Sequence, residues 1–210
     1  IDTVITKTKN LLEIQETPDD PKDLEKIPSL ALSDLNKQNT LIPREIGDYK
    51  GAKIIRHDLF TNGIVYLNLG FDLHAIPQEN IPYLGLFANS LVRLGTKKRN
   101  DVQLSQWIGR ETGGVGASVT VQSHRVSDES SAWLIVRGKS TVDKVGELTK
   151  IFEEVINSAL FENKDRFRQI VLEAKAGMES SLVSSGHAYV NRRLESKFNQ
   201  SGWISEHLFG

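Results

Sequence analysis

The sequence predicts an α+β protein in which helices cover one face of an antiparallel or mixed sheet, in the order hairpin, helices, hairpin, helices. Three observations carry this. Strand-like segments come in contiguous pairs and alternate apolar with polar residues. The segments between and after them repeat apolar residues at i, i+3, i+4 and i+7. Adjacent hairpins, finally, cannot generate the parallel sheet of a doubly wound fold.

Each element follows in chain order. Ile1 to Glu16 sets Val4, Leu11, Leu12 and Ile14 among polar residues and reads as the tail of a helix. Pro18 and Pro21 then break any helix, because proline lacks the amide donor and pushes the preceding residue toward extended geometry. Residues 1–40 are therefore expected to be a helical arm and linker, and residues 41–210 the domain proper. Ala52 to Leu59 and Ile64 to Leu73 read as strands joined at Thr61-Asn62-Gly63, where Asn-Gly supplies the positive-φ pair of a tight turn. Val65, Leu67, Leu69, Phe71 and Leu73 make one face of the second strand apolar, so that face requires a cover. Leu84, Phe87, Ala88 and Leu91 mark a helix, and Leu104, Trp107 and Ile108 after Asn100-Asp101 mark another. Gly113-Gly114 ends it. Val115 to His124 and Ala132 to Lys139 flank the polar turn Ser127 to Ser131 as a second hairpin. Val142 to Ala159 and Lys164 to Val183 are long helices, the latter with Phe167, Ile170, Val171, Ala174, Met178 and Leu182 as a stripe. His187 to His207 is helical with an interruption expected at Gly202.

Composition removes several function classes. There is no cysteine, so disulfide frameworks, thiolate nucleophiles and sulfur-based zinc sites are out. The 26 Lys+Arg against 27 Asp+Glu leave a formal charge of −1, with no basic field for nucleic acid or an anionic membrane. Apolar runs fall far short of the roughly 20 residues a membrane-spanning helix needs. The chain opens at Ile1 rather than Met, which reads as a piece of a longer polypeptide.

Local chemistry is sparse. His57, His74, His124, His187 and His207 form no His-x-x-x-His pair, and each reads as a surface or hydrogen-bonded structural histidine. Trp203-Ile204-Ser205-Glu206-His207 would be His-x-x-Glu-His had position 203 been histidine, but tryptophan does not ligate zinc. Thr112 to Gly116 mimics a phosphate loop yet runs from helix to strand, the reverse of the order that aims a helix N-terminus at a phosphate. Ser185 beside His187 lacks a nucleophile elbow and an orienting group, so helix termination is the better reading of Ser184-Ser185-Gly186. Arg166, Arg168, Arg192 and Arg193 read as solvated helix faces; Arg192, Arg193 and His187 are also the candidates for contacting a peptide or a neighbouring domain.

Several strings nevertheless resemble the presequence proteases, pitrilysin-like zinc metallopeptidases with an inverted zinc motif: Gln15 to Asp19, Ile27 to Leu30, Arg56 to Asn62, Gly109 to Gly114, Ile135 to Lys139, Ser185 to His187 and Gly202 to Glu206. The resemblance covers nearly the whole chain in consistent order. It implies the end of a linker and most of the third domain of a long polypeptide whose related domains pair into two halves around a peptide chamber. The implied fold is that of the LuxS and mitochondrial-processing-peptidase-like metallohydrolases. Where the family's first domain carries His-x-x-Glu-His, this chain has Tyr83, Leu86 and Phe87, which implies a degenerate copy whose zinc face has become core packing. On that basis no catalytic or metal residue is expected here, and zinc belongs to another domain of the parent. The implied activity of the parent is endoproteolysis of short unstructured peptides such as cleaved targeting sequences, in a bacterial cytoplasm or an organelle matrix or stroma. The implied partners are the other domains and the peptide. The alternative reading is a stand-alone peptide-binding or assembly module like an inactive processing-peptidase subunit.

Overall fold

The computed structural model describes residues 2–127 and 129–210, and the chain divides into two compact units after Leu59. The first unit begins with α1 (Asp2–Glu16), whose last turn closes when the Thr17 hydroxyl donates to the Glu13 carbonyl at 2.6 Å. Next comes α2 (Pro21–Leu24), with proline at its first position and Asp20 capping it by accepting from the Lys22 amide at 2.9 Å. Strands β1 (Glu45–Tyr49) and β2 (Ala52–Arg56) form an antiparallel hairpin. Its two-residue turn is Lys50-Gly51, with φ of 53° and 83°, the positive pair that matches strand twist. Every described residue of this unit is exposed, including Val4, Leu11, Leu12 and Ile14 on α1.

The first predicted hairpin is thus displaced. Asn62 and Gly63 do adopt positive φ, at 52° and 77°. Ala52–Arg56, however, pairs backward with β1, and β3 (Ile64–Asp72) pairs with a strand far downstream. Loop length explains the difference: residues 57–63 separate the two segments, whereas Lys50-Gly51 is the two-residue loop a tight hairpin prefers.

In the second unit β3, β4 (Val115–Ser123) and β5 (Ser130–Thr141) form an antiparallel sheet in the order β3-β5-β4. The β4–β5 hairpin is the one read from the sequence. Register fixes the faces: Val136 sits opposite Leu69 and Ala117, and Leu134 opposite Phe71 and Val119. Along β5, Ala132, Leu134 and Val136 are buried while Trp133, Arg137 and Lys139 are more open to solvent, so one face is covered and one open.

The cover consists of α3 (Leu84–Leu91), α4 (Asp101–Glu111), α5 (Val145–Ser158) and α7 (Gln200–Phe209). Leu104, Trp107, Leu148, Ile151, Phe152 and Val155 pack on Val136, and Ala88 and Ile204 on Leu73, Ala132 and Leu134. Each such fully buried large side chain contributes about 1.5–3 kcal/mol. Asn100 and Gln103 cap α4 reciprocally, at 2.8 and 3.1 Å.

The helix α6 (Lys164–Glu195) runs for 32 residues through a kink at Ser185 and buries only Ile170. Its predicted stripe exists, but Val171, Met178 and Leu182 remain exposed, because the covered sheet face is already occupied by the other helices. The interruption expected at Gly202 falls earlier: Glu195 ends α6, and Asn199 restarts the chain by accepting from the Gly202 amide at 2.7 Å.

Candidate functional site

Helix α3 follows a 3-10 turn, Gln78–Tyr83, and turns Ala88 and Leu91 into the core. Tyr83 and Leu86 lie off that buried stripe, and Phe87 at its solvent edge. Tyr83 is 67% exposed, Leu86 half-buried, and Phe87 37% exposed, stacked on Phe161 with ring centroids 5.3 Å apart and an interplanar angle of 9°. The expected core packing is therefore corrected: Tyr83 is on the surface, and Phe87 is partly covered by its stacking on Phe161. A leucine, a phenylalanine and a phenol do not fit a zinc ion, which takes imidazole, thiolate or carboxylate ligands. Among the described residues no group of three or more His, Asp or Glu side chains is placed to hold a metal.

Arg192 is half-buried and Arg193 exposed, and both bond to the end of α7. The Arg193 guanidinium donates to Glu206 at 3.0 Å, while Arg192 donates to the Phe209 carbonyl and lies 5.8 Å from the Phe209 ring, so both tie α6 to α7. His187 is exposed on α6 just past the kink. Other histidines have local hydrogen bonds: His57 Nδ1 with the Pro43 carbonyl at 2.8 Å, and His207 Nδ1 with the Trp203 carbonyl at 2.8 Å. His124 Nε2 lies 3.1 Å from the Ser131 hydroxyl, but the Glu129 carboxylate is 3.8 Å from Nδ1, beyond hydrogen-bond range. The imidazole is not oriented as a general base requires, and the group ties the two strands of a hairpin.

Two carboxylates brace the helices. Glu154, buried on α5, accepts from the Thr96 hydroxyl at 2.6 Å and pairs with Arg99, whose guanidinium stacks 3.8 Å over the Trp107 ring. Burial pushes the Glu154 carboxyl up, but the Thr96 and Arg99 hydrogen bonds and the Arg99 charge outweigh it and hold it below the ordinary value. Glu111, at the end of α4, is held low by hydrogen bonds from Lys144, at 2.5 Å, and Arg110, at 2.6 Å. These are structural ties.

The feature that sequence reasoning missed is a cavity of about 390 Å³ under α7. Ala132 walls it from the sheet, Leu73, Ile76, Ile81 and Leu84 from the segment that leads into α3, and Trp203 and Ile204 from α7. His74, Gln78 and Gln200 supply the polar groups. Among the described residues no lysine or arginine lines it, whereas the other cavities described in this unit carry Arg110 and Lys139, Lys98 and Arg99, or Arg125. His74 is fixed by Asp72: the Asp72 carboxylate accepts from the His74 amide at 2.9 Å and contacts ring Nδ1 at 2.6 Å. The backbone bond, then the ring bond, hold the Asp72 carboxyl below the usual carboxylate range. The Asp-Leu-His spacing was the available local signal, since aspartate readily caps the residue two on.

The sequence is similar to several known proteins along nearly its whole length. Over 203 residues the chain is 40% identical to presequence protease 1, chloroplastic/mitochondrial, of Arabidopsis thaliana, covering 97% of this chain and 19% of that protein. It is 31% identical to protein HypA of Clostridium perfringens, covering 100% of this chain and 22% of that protein. It is 30% identical to the mitochondrial presequence protease of Yarrowia lipolytica, covering 96% and 20%. The chain thus spans about a fifth of the length of these relatives. No helix among the described residues is long and apolar enough to cross a membrane. The model of the peptidase M16 (subfamily C) associated family matches residues 1–210, and the chain belongs to that family.

Proposed function

We propose that this chain is a non-catalytic domain of a zinc metalloendopeptidase like the presequence proteases, forming part of the wall of the chamber in which the parent degrades short unstructured peptides. What supports this reading is the segment at α3: at the place the resemblance assigns to the zinc motif stand Tyr83, Leu86 and Phe87, and Tyr83 and Phe87 are exposed. A catalytic zinc helix must leave its ligand face open to water and substrate, and here that place is open but carries no ligand. The relatives' names supply the activity class, and their greater length supplies the other domains. The parent would work in an organelle matrix or stroma, or in a bacterial cytoplasm, according to its source.

The test compares the 210-residue chain with its full-length parent. Metal analysis of the chain is expected to give no stoichiometric zinc, and incubation with a fluorogenic unstructured peptide no cleavage. The full-length protein should give both. Stoichiometric zinc or cleavage in the 210-residue chain, abolished by Tyr83→Ala or Phe87→Ala, would sink the reading.

A further inference from the structure

We propose that the cavity beside α4 is a binding site for a compact polyvalent oxyanion of the diphosphate class, held between Arg99 and Arg110 with Lys98 beside them. The site lies outside the peptidase-domain reading and does not depend on it.

The cavity, of about 420 Å³, is lined by Lys98, Arg99, Gln103, Gln106, Trp107 and Arg110. Three cations and two carboxamides thus converge on it, and no carboxylate is in its described lining. The spacing along α4 accounts for this. Positions 103, 106, 107 and 110 fall at i, i+3, i+4 and i+7 on one face of the helix, and Lys98-Arg99 join them from the turn before it. Both guanidiniums are tethered. Arg99 lies 3.8 Å over the Trp107 ring and pairs through one nitrogen with the buried Glu154, while Arg110 pairs through Nε with Glu111 at 2.6 Å. A guanidinium has five N–H donors, so each keeps a free edge of the planar fork that matches an oxyanion. Because Arg99 sits over Trp107 and Arg110 follows one helical turn later, the two forks are neighbours, and a ligand with two linked phosphate groups meets both. Lys98 is bonded to Thr96 Oγ1 through its backbone amide, at 3.2 Å, and its ammonium makes no ion pair among the described residues. Gln103 Oε1 accepts from the Asn100 amide at 3.1 Å, which leaves the Gln103 NH2 to donate. The carboxylates of this region lie along α5, where Glu147, Glu153 and Glu154 line the neighbouring cavity. Of these, Glu147 is taken up by Lys150, and Glu154 by Thr96 and Arg99. Trp107, 8% exposed and covered by Arg99, offers no platform for a nucleobase, so phosphate and not nucleoside is the group recognised.

The test titrates the 210-residue chain with inorganic pyrophosphate at about 50 mM salt, where screening is weak, and follows indole and side-chain amide resonances. Expected are shifts at the Trp107 indole and at the Gln103 and Gln106 carboxamides. Pyrophosphate should bind about tenfold more tightly than inorganic phosphate, the order expected for one further set of charge-assisted hydrogen bonds. Arg110→Gln should weaken pyrophosphate binding about fivefold or more, and Gln106→Glu, which sets a carboxylate in the cavity, about tenfold or more. Both positions are exposed, so folding should survive, as circular dichroism checks. Arg168→Gln makes the same charge change at an exposed position on α6 and should alter affinity by no more than about twofold. ADP should match pyrophosphate within about threefold, because its nucleoside gains no stacking surface. Equal losses in Arg110→Gln and Arg168→Gln overturn the proposal, as do unchanged binding in Gln106→Glu, equal affinity for phosphate and pyrophosphate, or shifts confined to other residues. ADP binding about tenfold more tightly than pyrophosphate overturns it in favour of nucleoside recognition. None of these outcomes touches the domain assignment, which is read from zinc and cleavage in the parent.

Discussion

Gly202→Ala is the substitution whose effect follows most directly from the geometry. A Cβ at 202 would lie 2.4 Å from the Glu195 carbonyl oxygen and 2.6 Å from its carbon, against 3.4 Å or more for an ordinary contact. Both neighbours are backbone at the end of α6, so the shortfall of about 1 Å must be recovered by moving α7 bodily away from α6. That movement would loosen Ile204 from Ala132 and Leu134. Overpacking of this kind costs about 1–3 kcal/mol, against which a glycine-to-alanine change within a helix returns roughly 0.5–1 kcal/mol. The net expectation is a loss of about 1–2 kcal/mol, or roughly 2–8 °C in Tm for a chain of this size. Gly177→Ala is the matched control, because it lies mid-α6 with nothing within 4 Å of the place its methyl would take, and it should gain about 0.5–1 kcal/mol. Urea titrations followed by far-ultraviolet circular dichroism and tryptophan fluorescence measure both. A Gly202→Ala midpoint equal to or above the parent's would refute the close-approach argument.

Two further outcomes follow from the braced carboxylates. Glu111 has a depressed folded pKa, so its stabilising contribution is fully present above its ordinary value of 4.5 and is lost as pH falls through the lower folded value. Glu111→Gln is therefore expected to flatten the stability–pH curve on its acid limb, below about pH 4.5, in urea midpoints taken from about pH 3 to 7, and an unchanged slope there would contradict it. Glu154→Ala strands the Thr96 hydroxyl and the Arg99 guanidinium. Because Arg99 keeps 33% side-chain exposure against 7% for Glu154, the loss should be about 2–3 kcal/mol, below the usual cost of breaking a fully buried pair. Equilibrium unfolding checks this, and a loss under about 0.5 kcal/mol would show the pair to be a surface contact.

What the sequence discloses here depends on how far apart the cooperating residues lie. Asn100 with Gln103, the β4–β5 alternation and the Leu84, Ala88, Leu91 spacing are local signals, and each element forms where its signal stands. Strand β1 was not legible, because Glu-Ile-Gly-Asp-Tyr offers almost no alternation and only its partner makes it a strand. The α6 stripe was legible as periodicity but not as exposure, since burial depends on which helices already occupy the sheet. The cavity was not legible at all, because residues 73–84, 132 and 200–204 meet only through the tertiary fold.

On the proposed reading, the exposure of Tyr83 and Phe87 bears on how a metal-binding copy would lose its chemistry and keep its fold. On α3 the core is served by Ala88 and Leu91, while Phe87 sits at the solvent edge of the same stripe and Tyr83, the last residue of the preceding 3-10 turn, lies outside it. A zinc face and a packing face cannot coincide on one helix, because the metal needs an open coordination position whereas the core excludes water. On the proposed reading, replacing ligands on an open face would leave the buried stripe untouched, and selection on folding would not resist it. What takes the vacated place is then free to be apolar only where something covers it or where a neighbour shares the exposure. Phe87 meets the second condition through Phe161, which it stacks at 5.3 Å across from the end of α5. Tyr83 meets neither by itself and stays 67% exposed, so on the proposed reading it is the residue at this face best placed to meet another domain or the peptide, through an apolar ring and a polar tip.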